Sequence, residues 1–422
     1  MPSDSYALYY AVALPFFAYA AFATFRLADW PRLDRLVVAL GLMVYFFKPL
    51  WFWPNGSDFR IFHAAGATAL AGDNPYLDPL FLNPPPGLPL VEMFAWADDK
   101  ASFGLWTMFN LVAGLLLVPI AWRAVSPRTP FHVVAVWSVA VGLSIPMHFT
   151  LTLGQLSVWT ALFGILGMYL ADRNPLLAGV AVGLAAVKPQ NALPLMLRFA
   201  RGRSLLAWLS AGAVVLFLTL LSGPVDQLKD RIATMLGNVS ALAVVGGMND
   251  FSDLGPHAHT IIGFDRLVWC LGVHDRSRAT IIAFALIAVV GLVLFVANAR
   301  GKLDGPTAAA LACMYAMVFL YHRTHDALIL ALPLVYCAGR FREFRRPAHG
   351  VAFGCLMLIM VIHPRALQRL AEKVPSFATE AILLPLPTTL LLAAGVLIFV
   401  EATRRGAISP VVRPAICPTD PR

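Results

Sequence analysis

The chain has 422 residues, 59% of them hydrophobic and 13% charged, with a mean hydropathy of +0.73 and a formal net charge of +9. A water-soluble domain carries about 25% charged residues, so most of this surface is not built for water. The net positive charge does not point to nucleic acid, because the basic residues fall in short loops between long apolar runs.

In chain order, apolar runs predict helices near 6–24, 35–53, 102–122, 131–147, 152–171, 204–222, 279–299, 306–320, 327–338, 349–363 and 382–402. Several approach the roughly 20 residues that carry a helix across about 30 Å of hydrocarbon. A spanning barrel would alternate apolar and polar residues, and these runs do not. The predicted fold class is therefore an all-α polytopic membrane protein, a bundle of about 11–13 transmembrane helices with short interfacial helices in its extracytoplasmic loops.

The run 6–24 has neither a basic start nor a small-residue cleavage site, so it reads as an additional N-terminal helix within 1–30 and not as a removable signal. Basic residues gather in 25–35, 122–128, 198–203, 300–302, 339–346 and the tail 403–422, which the positive-inside rule assigns to the cytoplasm. The less basic loops 54–101, 147–152, 223–262, 321–326 and 364–380 then face outward. Between 175 and 200 the run is interrupted by Lys188-Pro189-Gln190, and two half-length helices meeting there are expected. No internal repeat or linker divides the chain, so one membrane domain covers 1–422. The five cysteines form no CxxC pair and read as small packing residues; no metal site is suggested. Nothing in the sequence speaks to oligomeric state.

The chemistry collects at the outward ends. Loop 54–101 is too long for a plain connection, and loops of this size are commonly functional. Within it, DFRIFHAAGATALA (58–71) places Phe59, Phe62 and Ala65–Ala69 at helical spacing, with Ser57 or Asp58 at the N-cap and Gly72 ending the helix. Asp58 is either a capping carboxylate or one able to accept a proton from an alcohol. Arg60 and His63 beside it are interfacial anchors or substrate contacts. Gln155 opens a later helix, where a hydrogen bond between helices competes with ligand contact. Lys188 lies in an apolar stretch, where a charge costs about 2.5–3.5 kcal/mol and so faces a cavity or a partner. YHRTHDAL adds His322, Arg323, His325 and Asp326 between two apolar runs, as a solvated turn or as part of a site. A carboxylate facing cationic groups suits general-base chemistry with a phosphate leaving group. No GxxxxGK[ST] loop and no DxD pair occurs, and Asp98-Asp99 reads as solvated charge.

These motifs resemble those of the polyprenol-phosphate-mannose-dependent mannosyltransferases of glycosyltransferase family 87, which have the GT-C membrane fold. The family's D-x-x-x-(Y/F)-x-x-A stretch is matched by Asp58, Phe62 and Ala65, continuing to Gly72 and Tyr76. Its YPP segment is matched by Asn83-Pro84-Pro85-Pro86, with Asn83 in the aromatic position. Its GQxN element is matched by Gly154-Gln155-Leu156-Ser157, with Ser157 in place of Asn. Lys188-Pro189-Gln190 followed by RFARGR approximates its K-x-x-P segment and basic loop, and His325 or His322 its late histidine. The resemblance covers residues 55–340.

It implies an inverting glycosyltransferase at the extracytoplasmic face of the cell (inner) membrane, with 54–101 as the catalytic loop. Asp58 would be the general base, Lys188, Arg323, His322 and His325 would hold the donor phosphate, and Arg60, His63, Tyr76, Asn83, Gln155 and Gln190 would contact substrate. The implied partners are a polyprenyl-phosphate sugar donor, most simply of mannose, a glycolipid or polysaccharide acceptor and the bilayer; no cofactor, metal or nucleic acid is expected. The alternative from another class is a transporter or flippase of lipid-linked sugars, for which a broken helix such as that at Lys188 is also characteristic. The long outer loop with its interfacial helix favours the transferase.

Overall fold

The computed structural model describes residues 3–26, 30–51, 54–126, 129–201, 204–374 and 376–406. Cys417, the tail beyond 406 and parts of the basic loops lie outside the described residues; the other four cysteines are free. Apart from one two-residue strand pair, the described regular structure is helical, and the chain is an all-α polytopic membrane protein.

Among the described residues, Asp99–Val125, Arg276–Ala299 and Leu386–Arg404 are each long and apolar enough to cross a membrane. The number rises to six if three bent helix pairs each make one span. More spans, about 11–13, are expected from hydropathy alone. The difference arises because polar breaks cut apolar runs into shorter helices, among them Ser157–Leu170 and Pro175–Ala185. One such break bends Phe131–Gly142 by 54° from Ile145–Leu153. There the Ser144 hydroxyl caps the second helix by accepting from Met147 N at 3.3 Å, and Pro146 in its first turn has no N–H to offer the first.

Arg276–Ala299 buries only 22% of its apolar window against the protein, leaving Ile281, Phe284, Val289 and Leu292 exposed. A face of that kind belongs against lipid, not water. By contrast, Ala327–Gly339 is buried throughout. It begins as a 3-10 turn, Thr324–Leu330, and continues as the helix Ala331–Phe344 at the centre of the bundle. This helix packs against Asp99–Val125, Gly305–Ala316 and Pro347–Val361.

The N-terminal helix Ser3–Phe25 is part of the bundle. Its Thr24 Oγ1 accepts from Trp137 Nε1 at 2.8 Å, and the Tyr9 hydroxyl donates to the Leu143 carbonyl. The expected break between 175 and 200 is present as Pro175–Ala185 and Pro189–Leu195. Its cause is local. A residue before proline is driven out of the helical region, and Lys188 has φ −127° and ψ 90° ahead of Pro189 at the start of the next helix.

The loop 54–101 folds onto the end of the bundle through Ser57–Leu70. As the spacing predicts, Phe59, Phe62 and Ala65 are buried, with Gly66 beside them, and the helix ends at Ala71 before Gly72. The cap differs from expectation. Gly56, with φ 57°, is the N-cap, and Ser57 and Asp58 occupy the first turn. A left-handed cap is natural to glycine, and it leaves the Asp58 carboxylate unoccupied by capping. The Asn55 and Gly56 amides both donate to the Thr152 carbonyl, at 3.1 and 3.0 Å, which fixes where the helix begins. Phe59 lies 5.2 Å from the ring of Phe103 and 5.7 Å from that of Trp106, an aromatic shelf on Asp99–Val125.

The strand pair joins Ile261–Ile262 antiparallel to His322–Arg323. Period-2 patterning cannot be read from two residues, so it has no sequence signal. It ties the loop 243–263 to the histidine-rich turn.

Candidate active site

The helix start at Asp58, the turn at Gly154-Gln155, the break at Lys188 and the turn at 322–326 meet at one end of the bundle. Gln155 follows Gly154, whose φ is 75°. A Cβ on Gly154 would stand 2.5 Å from Phe59 Cβ, so only glycine lets this turn reach the Ser57–Leu70 helix. Gln155 Nε2 then donates to Asp58 Oδ2, while Ser57 Oγ donates to Asp58 Oδ1 at 3.1 Å. The other end of the same amide, Gln155 Oε1, accepts from Lys188 Nζ at 3.1 Å. Two hydrogen bonds through one side chain therefore separate the carboxylate from the ammonium.

Lys188 is 6% exposed and donates two further bonds, to Ser157 Oγ at 2.9 Å and Asp326 Oδ1 at 2.8 Å. An ammonium has three donors, and all three are engaged. A phosphate contact, the role the resemblance gives Lys188, would require one of these bonds to break. Its counter-charge is Asp326, as the cost of an unpaired lysine at this depth requires. Asp326 is 4% exposed and also accepts from Ser157 Oγ at 2.7 Å. His322 Nδ1 lies 3.3 Å and His325 Nε2 3.8 Å from Asp326 Oδ2.

His322 is 1% exposed, and its second nitrogen, Nε2, is buried without a hydrogen-bond partner among the described residues. Buried polar atoms are seldom left so. Arg323 turns the other way, donating from Nη2 to the Met248 carbonyl at 2.8 Å and Asn249 Oδ1 at 3.0 Å.

The remaining expected residues divide. Gln155 is central. Arg60 is exposed and donates to its own loop at the Asn55 carbonyl, 2.9 Å away. His63 Nε2 lies 2.9 Å from the Ala97 carbonyl, and the buried Tyr76 hydroxyl donates to the Asn83 carbonyl at 2.8 Å. These three hold loop 54–101 together and do not join the cluster. The side chains of Asn83 and Gln190 are half-buried and take no part in its bonds, although the Asn83–Gly87 turn runs past Val187, next to Lys188.

Sequence reasoning grouped Asp326 with the 322–326 turn and Ser157 with the GQxN element without giving either a role, and it passed over His257. Asp326 had a signal: a buried lysine needs an acid, and the aspartate closing the histidine-rich turn at the same end was the candidate. His257 had none, being one histidine in a polar loop. Its imidazole is held below its ordinary range by burial, and further by Arg323 and Arg365, with Asp58 acting in the opposite direction. His259 is pushed down to about 4, by burial first and then by Arg365. Arg365 thus acts on both histidines, more weakly than their burial does.

At one end of a membrane helix bundle, a half-buried carboxylate thus stands beside buried cationic and imidazole groups. The model of glycosyltransferase family 87 matches residues 81–322, more than half of the chain, and the chain belongs to that family. The matched segment includes Gln155, Ser157, Lys188 and His322; Asp58 precedes it. No curated protein and no solved structure matches the chain significantly.

Proposed function

We propose that this membrane glycosyltransferase takes its sugar, most simply mannose, from a polyprenyl-phosphate-linked donor. It passes the sugar with inversion to a hydroxyl of a glycolipid or polysaccharide acceptor at the extracytoplasmic face of the cell (inner) membrane. The observation that carries the reading is the continuous chain Asp58–Gln155–Lys188–Asp326–His322, a carboxylate at one end and an imidazole with an orphaned nitrogen at the other.

In the step, Asp58 takes the acceptor's hydroxyl proton, the acceptor oxygen bonds to the anomeric carbon, and the bond from that carbon to the phosphate oxygen breaks. Polyprenyl phosphate leaves with the electron pair. Each carboxylate oxygen has two acceptor sites, so the bonds from Gln155 and Ser57 leave room for the incoming proton. We assign the departing phosphate to His322 Nε2, with His325 beside it; Arg323 would join them only by releasing Met248 and Asn249. Lys188, with its donors engaged, acts as a positioning residue that fixes Gln155 and balances Asp326.

Asp58→Asn keeps the shape and removes the base. We expect turnover with a polyprenyl-phosphate sugar and a lipid acceptor to fall by roughly 10²–10⁴-fold, with the detergent-solubilised chain still folded by circular dichroism. Full turnover in this variant would overturn the assignment.

A further inference from the structure

The stretch 73–87 of the loop 54–101 is gripped in the elbow of a bent helix pair that the transfer step does not use. Ser204–Leu221 is followed, across Ser222, Gly223 and Pro224, by Val225–Leu242, and the two helices are bent by 98°. Pro224, with φ −57° and ψ 140°, stops the first helix and caps the second. The first arm has 18 residues and so reaches about 27 Å, close to the thickness of a bilayer's hydrocarbon. Its Leu209, Leu216, Phe217 and Leu221 are exposed, as on a helix that meets lipid. The second arm therefore starts where the hydrocarbon ends and turns along the membrane surface.

The second arm has three faces, read at 3.6 residues per turn. Leu228, Arg231, Met235 and Asn238 form the first, which is buried or half-buried. Val225, Ile232, Leu236 and Val239 form the second, roughly a third of a turn away, and all four are exposed. Asp226, Asp230 and Gly237 form the third, also exposed. The first face holds the loop. Arg231 Nη2 donates to the Asp73 carbonyl at 3.0 Å, and Asn238 Nδ2 to the Tyr76 carbonyl at 2.8 Å. Asn74 Nδ2 donates in return to Thr234 Oγ1 at 3.4 Å. The turn Pro75–Leu77 packs on this arm and the turn Pro85–Gly87 on the other. The Tyr76 hydroxyl joins the two turns through the Asn83 carbonyl, and Gly87 lies against Val187, the neighbour of Lys188.

We propose that the face Val225–Ile232–Leu236–Val239 is seated in the lipid leaflet at the boundary of headgroups and acyl chains, and that this seating holds the 73–87 stretch in place. The occupant follows from continuity. The exposed apolar surface of the first arm runs up to Leu220 and Leu221 and resumes at Val225, three residues later, so the lipid that covers the one meets the other. An amphipathic helix in this position buries its apolar face about 5–10 Å into that boundary. The polar side carries Asp226 and Asp230 against the single Lys229, so apolar burial and not attraction to anionic lipid supplies the contact. The inference needs only a chain embedded in a membrane and does not depend on the transfer reading.

The test uses the full chain in phosphatidylcholine nanodiscs with no sugar donor present. The photoreactive residue p-benzoylphenylalanine is placed at Leu236 and, separately, at Asp230, and irradiated protein is read by mass spectrometry. We expect phosphatidylcholine adducts at position 236 and several-fold fewer at 230. No lipid adduct at 236, as many at 230, or adducts at 236 to a second copy of the chain would overturn the seating. Hydrogen exchange of peptides covering 73–87 then reads the grip. Leu236→Asp should speed their exchange by about tenfold, while Asp226→Asn leaves it unchanged. Unchanged exchange in Leu236→Asp would overturn the link between leaflet and loop, and the adduct pattern in the otherwise unaltered chain decides the seating even if that variant fails to fold. With no donor present, none of these results bears on whether the chain transfers sugar from a polyprenyl phosphate.

Discussion

Removing either partner of the Lys188–Asp326 pair should have unequal consequences, and removing both should cost less than the sum. Asp326→Ala leaves a buried ammonium with two neutral acceptors, Gln155 Oε1 at 3.1 Å and Ser157 Oγ at 2.9 Å. A stranded buried charge costs about 3–5 kcal/mol. Lys188→Met leaves Asp326 with Ser157 at 2.7 Å and two imidazoles at 3.3 and 3.8 Å, which can share its charge, so the loss should be nearer 1–3 kcal/mol, roughly that of a broken buried hydrogen bond to a charged group. The double variant strands no charge and should lose about 2–4 kcal/mol, which leaves a coupling of roughly 2–4 kcal/mol between the two positions. Denaturant unfolding of the four proteins in mild detergent, followed by tryptophan fluorescence, measures each corner of the cycle. If the two losses simply add to within about 0.5 kcal/mol, the pair does not act as a unit and the account of Lys188 given above is wrong.

Gln155→Leu keeps bulk and deletes the amide joining Asp58 to Lys188; turnover should fall by about 10²-fold, the usual result of a reacting group loosened by an ångström, and undiminished turnover would show that the bridge is incidental. Gly154→Ala forces a side chain into φ 75° and against Phe59 Cβ, so thermal unfolding should reveal a loss of about 1–3 kcal/mol, and an unchanged melting temperature would contradict the turn geometry. The His259 imidazole takes a proton near pH 6.5 when unfolded but only near 4 when folded. Between those values the unfolded chain binds more protons, so stability falls as pH drops from about 6.5 to 4 and levels off below. His259→Gln should flatten that part of the curve in melts taken at successive pH values; an identical slope in both proteins would refute the assignment.

The helical membrane class, the buried stripe of the Ser57–Leu70 helix and the break at Lys188-Pro189 were legible in the sequence because each has a local cause. These causes are apolar length, a period of 3.6 residues, and a proline that expels its predecessor from the helix. Lys188 stood out as a charge in an apolar stretch, and Asp58, Gln155 and the histidines of 322–325 as polar groups gathered at the ends of predicted helices. Tertiary structure alone decided which of them touch. The chain separations of 97 residues from Asp58 to Gln155 and 138 from Lys188 to Asp326 leave no pattern within any window of sequence. It also separated Arg60, His63 and Tyr76, whose side-chain hydrogen bonds stay within their own loop, from residues that meet across the bundle. A side chain's type is written at its position, but its partner is fixed only when distant helices close around it and exclude the water that would otherwise serve.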